Sequence, residues 1–219
     1  MEPGHSLVKH EWQNMNKLVY LANLVIDNFS DSDSVWMQQC VAEAKTLRAF
    51  AYISLLSQWG NPPMITSTND DIRTGNSDPA VFWAYVVSSL DEAINSGRMI
   101  SKASSHDKVT RATKEFAMAL KGKAQVYSGD YAGAKTTLKA LIDSKKYELV
   151  PGPELESMTF SSKGNLNCES LFEVNTLPTE ATVKQVSAWD QWLVYVAPRT
   201  DKHKTADGSY LKTYSSSTW

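Results

Sequence analysis

The chain has 219 residues, of which 42% are hydrophobic, so it is long enough to bury a core as a single domain. Its net charge is −2, and Lys and Arg are scattered along it. The sequence therefore gives no electrostatic case for binding nucleic acid or acidic lipid, for which a basic patch would be expected. Two cysteines are too few for a disulfide framework, and no apolar run approaches the ~20 residues of a membrane-spanning helix.

A first helix is predicted over about residues 9–29. Its apolar positions recur at helical spacing, at Trp12, Met15, Val19, Ala22 and Ile26. The polar cluster 30–34 that follows is rich in N-cap residues, which indicates the start of a second helix. The N-terminus lacks the basic segment and apolar stretch of a signal peptide.

The second helix carries one apolar face and ends sharply. Leu47, Ala51 and Leu55 lie at i, i+4 and i+8, and Ala44 and Cys40 extend the same face backward. We therefore expect a buried free thiol at Cys40. The helix should end at Trp59, because Gly60 suits a left-handed C′ position and Pro62 and Pro63 forbid continuation. For Arg48, in the middle of this helix, we expect a structural role, with its stem on apolar surface and its guanidinium on oxygens of neighbouring segments.

A loop over 61–77 separates this helix from a third. Asp78 and Pro79 form a good Ncap–N1 pair, and Gly97 is placed to end the helix. One apolar face runs along it, formed by Phe82, Val86, Leu90 and Ala93.

The fourth and fifth helices have the offsets of a tetratricopeptide helix pair. Gly122 permits close approach of the two helices, Gly129 ends the first, and Ala134 packs back against it. Tyr131 and Leu138 complete the pattern. Because such pairs bury their apolar sides against neighbours, the chain is expected to form a short helical array.

Helical character is expected to end at the Pro/Gly-rich run 148–153, with a loop over 161–167. Residues 170–175 alternate as a short strand should, and 177–219 have no sustained period. We therefore predict a mainly α fold in one domain, 1–219. It comprises a tetratricopeptide-like scaffold over about 9–147 and an irregular region with the short strand over about 148–219.

The irregular C-terminal segment is rich in aromatic residues that suit a sugar-binding surface. Sugar rings have an apolar face and a girdle of hydroxyls, so flat side chains with a polar edge stack on them. The alternative is that these aromatics anchor the segment onto the helices. The ligand-binding candidates are Trp189, Trp192, Tyr195, Tyr210 and Tyr214.

No pattern for catalysis, a metal or a cofactor emerges. The four histidines have no ligand spacing, and phosphate-loop and nucleophile-elbow motifs are absent. Asn69, Asp70 and Asp71, with Asn76 and Asp78 nearby, could supply oxygen ligands but lack the alternating acidic residues and closing Glu of a calcium loop, so a solvated loop is expected. A glycosidase would need a shielded carboxylate pair, and Glu169 and Glu173 are better explained as surface carboxylates.

Three colinear blocks resemble the SusD/RagB family of surface glycan-binding lipoproteins of Bacteroidetes. The first comprises Leu47, Arg48, Ala49, Tyr52, Trp59, Gly60 and Pro63; the second runs from Arg111 to Ala134; the third is Asn167–Val174. Ser89-Leu90 and Thr110 depart from the family pattern. Family members are much longer, so the chain resembles an internal or N-terminal-half fragment of one.

The resemblance implies a non-catalytic protein at the outer-membrane surface that binds starch or another polysaccharide or oligosaccharide. It would pass this ligand to a TonB-dependent SusC-like transporter. It also implies an export signal and a lipid anchor outside this sequence, and no cofactor. The alternative is a cytoplasmic tetratricopeptide-type adaptor that binds peptides, which explains the repeat but not the first and third blocks.

Overall fold

A computed structural model describes residues 6–159 and 164–174. Five α-helices follow one another: α1 (Ser6–Phe29), α2 (Val35–Trp59), α3 (Pro79–Asn95), α4 (Lys114–Ser128) and α5 (Tyr131–Asp143). A 3₁₀ turn (Gly152–Glu154) leads into a short helix, α6 (Leu155–Thr159). The contacts divide the chain into two units, Met1–Glu173 and Val174–Trp219, and all of these helices belong to the first. The predicted mainly α, tetratricopeptide-like fold is confirmed.

The helix ends lie where the local chemistry predicts. The Asp78 carboxylate accepts hydrogen bonds from the N–H groups of Ala80 and Val81 at the start of α3. The Thr113 hydroxyl caps α4 by accepting from the Phe116 N–H at 3.1 Å. At the other ends, Gly60 (φ 80°) follows α2 and Gly129 (φ 86°) follows α4, in backbone conformations that only glycine adopts without strain.

Successive helices pack against each other, and the core lies mainly among α2, α3 and α4. Each of α1, α2, α3 and α4 contacts the next helix, and α2 also contacts α4. The largest fully buried apolar side chains are Tyr52, Phe82, Leu55, Leu90 and Val86. Each contributes about 1.5–3 kcal/mol by leaving water. None of the described helices is long and apolar enough to cross a membrane.

The α4–α5 pair has the close approach that its glycine predicts. A Cβ atom placed on Gly122 would lie 2.4 Å from Leu138 Cδ2, well inside van der Waals contact. Ala134 of α5 is buried against α4, as expected. The absence of a side chain at Gly122 therefore lets these two helices meet.

Two expectations for the region after α5 are wrong. Helical character resumes after the Pro/Gly-rich run, in the 3₁₀ turn and α6. Residues 170–174 form no strand, and no strand occurs elsewhere in 6–159 and 164–174. The reason is that Phe172 stacks on Phe116 of α4, with ring centroids 4.5 Å apart and planes 10° apart. Leu171 and Phe172 pack against the helical core, and residues 6–159 and 164–174 contain no strand with which this segment could pair.

Candidate functional site

The aromatic residues predicted to bind sugar lie outside the described residues. Trp189, Trp192, Tyr195, Tyr210 and Tyr214 all fall in the second unit, so their role stays a prediction. The described residues form several other polar and aromatic clusters.

Arg48 is the centre of a buried polar cluster, which confirms the structural role expected for it. The residue is only 4% exposed, and Nη1 donates to Asn23 Oδ1 at 2.7 Å and to the Thr66 carbonyl at 2.8 Å. Nη2 lies 3.5 Å from Ser89 Oγ. One guanidinium thus joins α1, α2, α3 and the loop between α2 and α3.

The same loop is held by a second set of hydrogen bonds. The Tyr52 hydroxyl, whose pKa is raised by burial, donates to the Ile65 carbonyl, and Asn23 Nδ2 donates to that carbonyl at 2.9 Å. The Asp70 carboxylate accepts from the N–H groups of Thr66 and Ser67 at 2.7 and 3.0 Å. These bonds, first that from Thr66, lower the pKa of Asp70.

Asp70 is therefore part of a loop scaffold. Among the described residues, no group of three His, Cys, Asp or Glu side chains is arranged to hold a metal ion. The two carboxylates considered for glycoside hydrolysis also serve local structure. Glu169 accepts from the Val150 N–H at 3.2 Å, and Glu173 accepts from the Leu166 N–H at 2.8 Å.

A further polar cluster lies at the start of α4. Lys102 and Glu115 are both buried, and desolvation lowers the pKa of Lys102. Lys102 Nζ has no hydrogen-bond partner among the described residues and lies 4.4 Å from the centroid of the Tyr147 ring, a cation–π contact. Glu115 Oε1 accepts from Ser101 and from Lys146, the latter at 3.1 Å. The cluster fastens the segment after α5 to the start of α4.

Both cysteines are free and half-buried. Cys40 is thus a free thiol as expected, although it is less enclosed than its helix face predicts. The Arg111 guanidinium lies beside it, with Nη2 3.8 Å from Cys40 Sγ. Arg111 also pairs with Glu43 through two hydrogen bonds of 2.9 and 2.7 Å.

A groove of about 710 Å³ lies beside α3, and we call it the α3–α4 groove. It exists because α3 contacts α4 but, among the described helices, does not contact α5. Its α3 wall is one helical stripe comprising Pro79, Ala80, Trp83, Ala84, Val87, Ser88 and Asp91. Its other wall is the end of α4 and the N-cap of α5, at Tyr127, Ser128 and Asp130.

A stacked aromatic pair lies in this groove. The Trp83 and Tyr127 ring centroids are 5.8 Å apart and the ring planes differ by only 14°. Trp83 is 8% exposed, whereas Tyr127 is 54% exposed. Tyr127 is therefore a flat ring supported from behind and open to solvent. No local pattern in the sequence indicates this pair, since its members are far apart in the chain.

Carboxylates and hydroxyls lie around the pair. Asp91 accepts from Lys121 Nζ at 2.6 Å, and Asp130 accepts from the Gly133 N–H at 2.9 Å and from Gln125 Nε2 at 3.0 Å. Ser88 and Ser128 add hydroxyl groups to the lining. The lining of the groove therefore combines an aromatic surface with hydrogen-bonding groups.

The fold places the chain in the class of scaffolds that are built from paired helices. Comparison with known proteins shows which members of this class it resembles. No family model matches the chain. SusD-like protein P38 of Formosa agariphila is 27% identical over 153 residues, which are 68% of this chain and 29% of that protein.

Solved structures agree with this match. Surface glycan-binding protein A from Bacteroides fluxus superposes with a TM-score of 0.65 at 26% identity, over 77% of this chain and 36% of that one. Surface glycan-binding protein A from Bacteroides thetaiotaomicron, in complex with laminarihexaose, has a TM-score of 0.63 at 23% identity, over 75% of this chain and 34% of that one.

In sequence and in fold, the chain is similar to SusD-like proteins, as its three sequence blocks indicate. It spans about a third of the length of the relatives it matches.

Proposed function

We propose that the chain is part of a non-catalytic protein that binds glycans at the bacterial cell surface. The observation that carries this proposal is the common fold, at 26% identity, with a surface glycan-binding protein from Bacteroides fluxus. The complex of a further relative with laminarihexaose supports an oligosaccharide as the ligand. Binding of this kind needs only shape, stacking and hydrogen bonds.

The proposal extends to a partner and a location. A SusD-like protein is expected to deliver its glycan to a SusC-like, TonB-dependent transporter in the outer membrane. The attachment to that membrane would be a lipid anchor. The ligand contacts proposed from the sequence remain Trp189, Trp192, Tyr195, Tyr210 and Tyr214.

Affinity electrophoresis against plant, host and microbial polysaccharides tests glycan binding. We expect one polysaccharide to retard the chain, and we expect a Trp189→Ala, Trp192→Ala double variant to lose the retardation. Retardation that survives in the double variant would keep the function and remove these two residues from the site. Migration unchanged by every polysaccharide would count against glycan binding by this chain.

The alternative function is that of a tetratricopeptide-type adaptor for peptides. The helix pair α4–α5 fits both functions, because both use the same scaffold. The match to SusD-like protein P38 favours the first. A gene whose reading frame begins upstream with a signal peptide and a lipid-anchor cysteine would exclude the adaptor.

A further inference from the structure

We propose that the α3–α4 groove is a contact subsite for a neutral oligosaccharide on the helical scaffold itself. This inference rests on the proposed glycan-binding function, and it assigns part of the contact to described residues outside the aromatic C-terminal segment. Its centre is the ring of Tyr127, supported by Trp83.

The first argument is the state of the Tyr127 ring. The ring is 54% exposed at the end of α4, so a ligand in the groove can reach it. The nearly parallel Trp83 ring fixes its orientation from one side. A ring held flat before binding loses little conformational freedom when a sugar stacks on it. Its hydroxyl can form a hydrogen bond to the ligand.

The second argument is the shape and size of the groove. Its volume of about 710 Å³ lies within the range of about 300–1,000 Å³ that small-molecule sites have. The exposed small side chains Ala80, Ala84 and Ser88 recur every fourth residue along α3 and keep this wall low. A chain of rings can therefore extend along α3 from the aromatic pair.

The third argument is the polar lining, which fits a saccharide better than an apolar helix. Carboxylate oxygens of Asp91 and Asp130 accept hydrogen bonds from sugar hydroxyls, and the Ser88 hydroxyl can both donate and accept. A docked apolar helix would desolvate these carboxylates without replacing their bonds to water.

The charges of the groove select for a neutral ligand. Lys121 pairs with Asp91 at 2.6 Å, and Lys123 Nζ lies 5.9 Å from the centroid of the Tyr127 ring, so the two lysines balance the carboxylates of Asp91 and Asp130. A uronic-acid chain would lose water from its own carboxylates and gain no net attraction from the groove, which disfavours binding. A neutral glucan has no such penalty.

The test is the affinity of the 219-residue chain for laminarihexaose, measured by isothermal titration calorimetry on four proteins. They are the wild type, Tyr127→Ala, Tyr127→Phe and Tyr20→Ala. Tyr20 is the matched control, because it is 55% exposed on α1 and does not line the groove. Circular dichroism and thermal unfolding check that each variant retains the fold.

We expect Tyr127→Ala to weaken binding about tenfold, which corresponds to about 1.4 kcal/mol. Tyr127→Phe should retain most of the affinity, since it keeps the stacked ring, and Tyr20→Ala should bind as the wild type does. An oligogalacturonate of matching length should bind more weakly than laminarihexaose. The Trp83 indole N–H resonance, assigned with a Trp83→Phe variant, should shift on titration with laminarihexaose.

The outcomes separate this inference from the function on which it rests. Wild-type binding that Tyr127→Ala leaves unchanged, with no shift of the Trp83 resonance, overturns the groove and leaves glycan binding standing. Equal losses of affinity in Tyr127→Ala and Tyr20→Ala would also overturn the assignment of a binding subsite to the groove. No binding of laminarihexaose or of any other neutral oligosaccharide in a panel by the wild type overturns the subsite and contradicts the proposed function as well.

Discussion

Around Arg48 and along the α4–α5 pair, the molecule holds its helices together in two different ways. At Arg48, three helices and a loop are joined by hydrogen bonds to one buried guanidinium. Between α4 and α5, close packing is possible because Gly122 has no side chain and leaves room for Leu138. The polar cluster fixes the path of an irregular loop, whereas the steric contact fixes the separation of two regular helices.

Replacing Arg48, the charged centre of the buried polar cluster, should have the largest effect on the free energy of unfolding. Arg48→Leu removes hydrogen bonds from a charged donor and leaves Asn23 and the Thr66 carbonyl without these partners in a buried site. Bonds of this kind contribute roughly 1.5–3 kcal/mol each, so we expect a loss of about 3 kcal/mol in the free energy of unfolding. Urea denaturation measures it.

Arg98→Leu is the control, since Arg98 is exposed in the segment after α3. Arg48→Lys keeps the charge but loses the forked donor geometry, and it should lie between wild type and Arg48→Leu. One ordinary hydrogen bond contributes about 1 kcal/mol. If Arg48→Leu lowered the free energy of unfolding by less than this, the guanidinium would not be what holds this region together.

Filling the space between α4 and α5 should lower the free energy of unfolding by a smaller amount. Gly122→Ala gains about 1 kcal/mol of helix propensity, but its Cβ would lie 2.4 Å from Leu138 Cδ2. Overpacking costs about 1–3 kcal/mol, so we expect a net destabilisation of about 1 kcal/mol. In a Leu138→Ala background the same change should become neutral or stabilising, because the clash is gone.

A double-mutant cycle from four urea titrations gives this coupling. Gly75→Ala is the matched control, because a Cβ there would meet nothing within 4 Å. Additive effects of Gly122→Ala and Leu138→Ala would contradict the steric account of the α4–α5 contact.

The smallest effect on the free energy of unfolding should come from replacing Asp70, in the loop beside the Arg48 cluster, and this effect should depend on pH. Hydrogen bonds from Thr66 and Ser67 lower the pKa of Asp70 relative to the unfolded chain. A carboxyl with a depressed folded-state pKa stabilises the fold above its unfolded pKa of about 3.9, and this stability is lost as pH falls through the folded value.

We therefore expect Asp70→Asn to lower the urea midpoint at neutral pH and to change it less at a pH below the folded-state pKa. Asp31→Asn, in the exposed turn before α2, measures the effect of removing a surface carboxylate. An Asp70→Asn loss of equal size at both pH values would show that the ionised carboxylate contributes nothing beyond a neutral acceptor.

Helix positions were predictable from the sequence because their signals are local. Asp78 before Pro79, and Gly60 and Gly129 after their helices, are recognisable from conformational preferences alone. The Gly122 pattern was equally readable, since it belongs to a repeat with fixed offsets.

Other features depended on contacts that no local pattern records. The alternation of apolar residues over 170–175 indicates a strand, yet Phe172 packs on Phe116 of α4, a helix that lies far away along the chain. The Trp83–Tyr127 pair likewise requires knowledge of how α3 meets α4. The structural role of Arg48 was predicted from side-chain chemistry, but its partners in α1, α3 and the loop were not.

The missing side chain at Gly122 also has a consequence for the shape of a helical array. In such arrays, a small rotation between neighbouring units accumulates into the curvature and pitch of a superhelix. Interaxial distances between packed helices are about 8–10 Å and depend on the side chains at the contact. A single β-carbon at position 122 would therefore change the distance and angle between α4 and α5, and with them the direction in which a further unit could stack on α5.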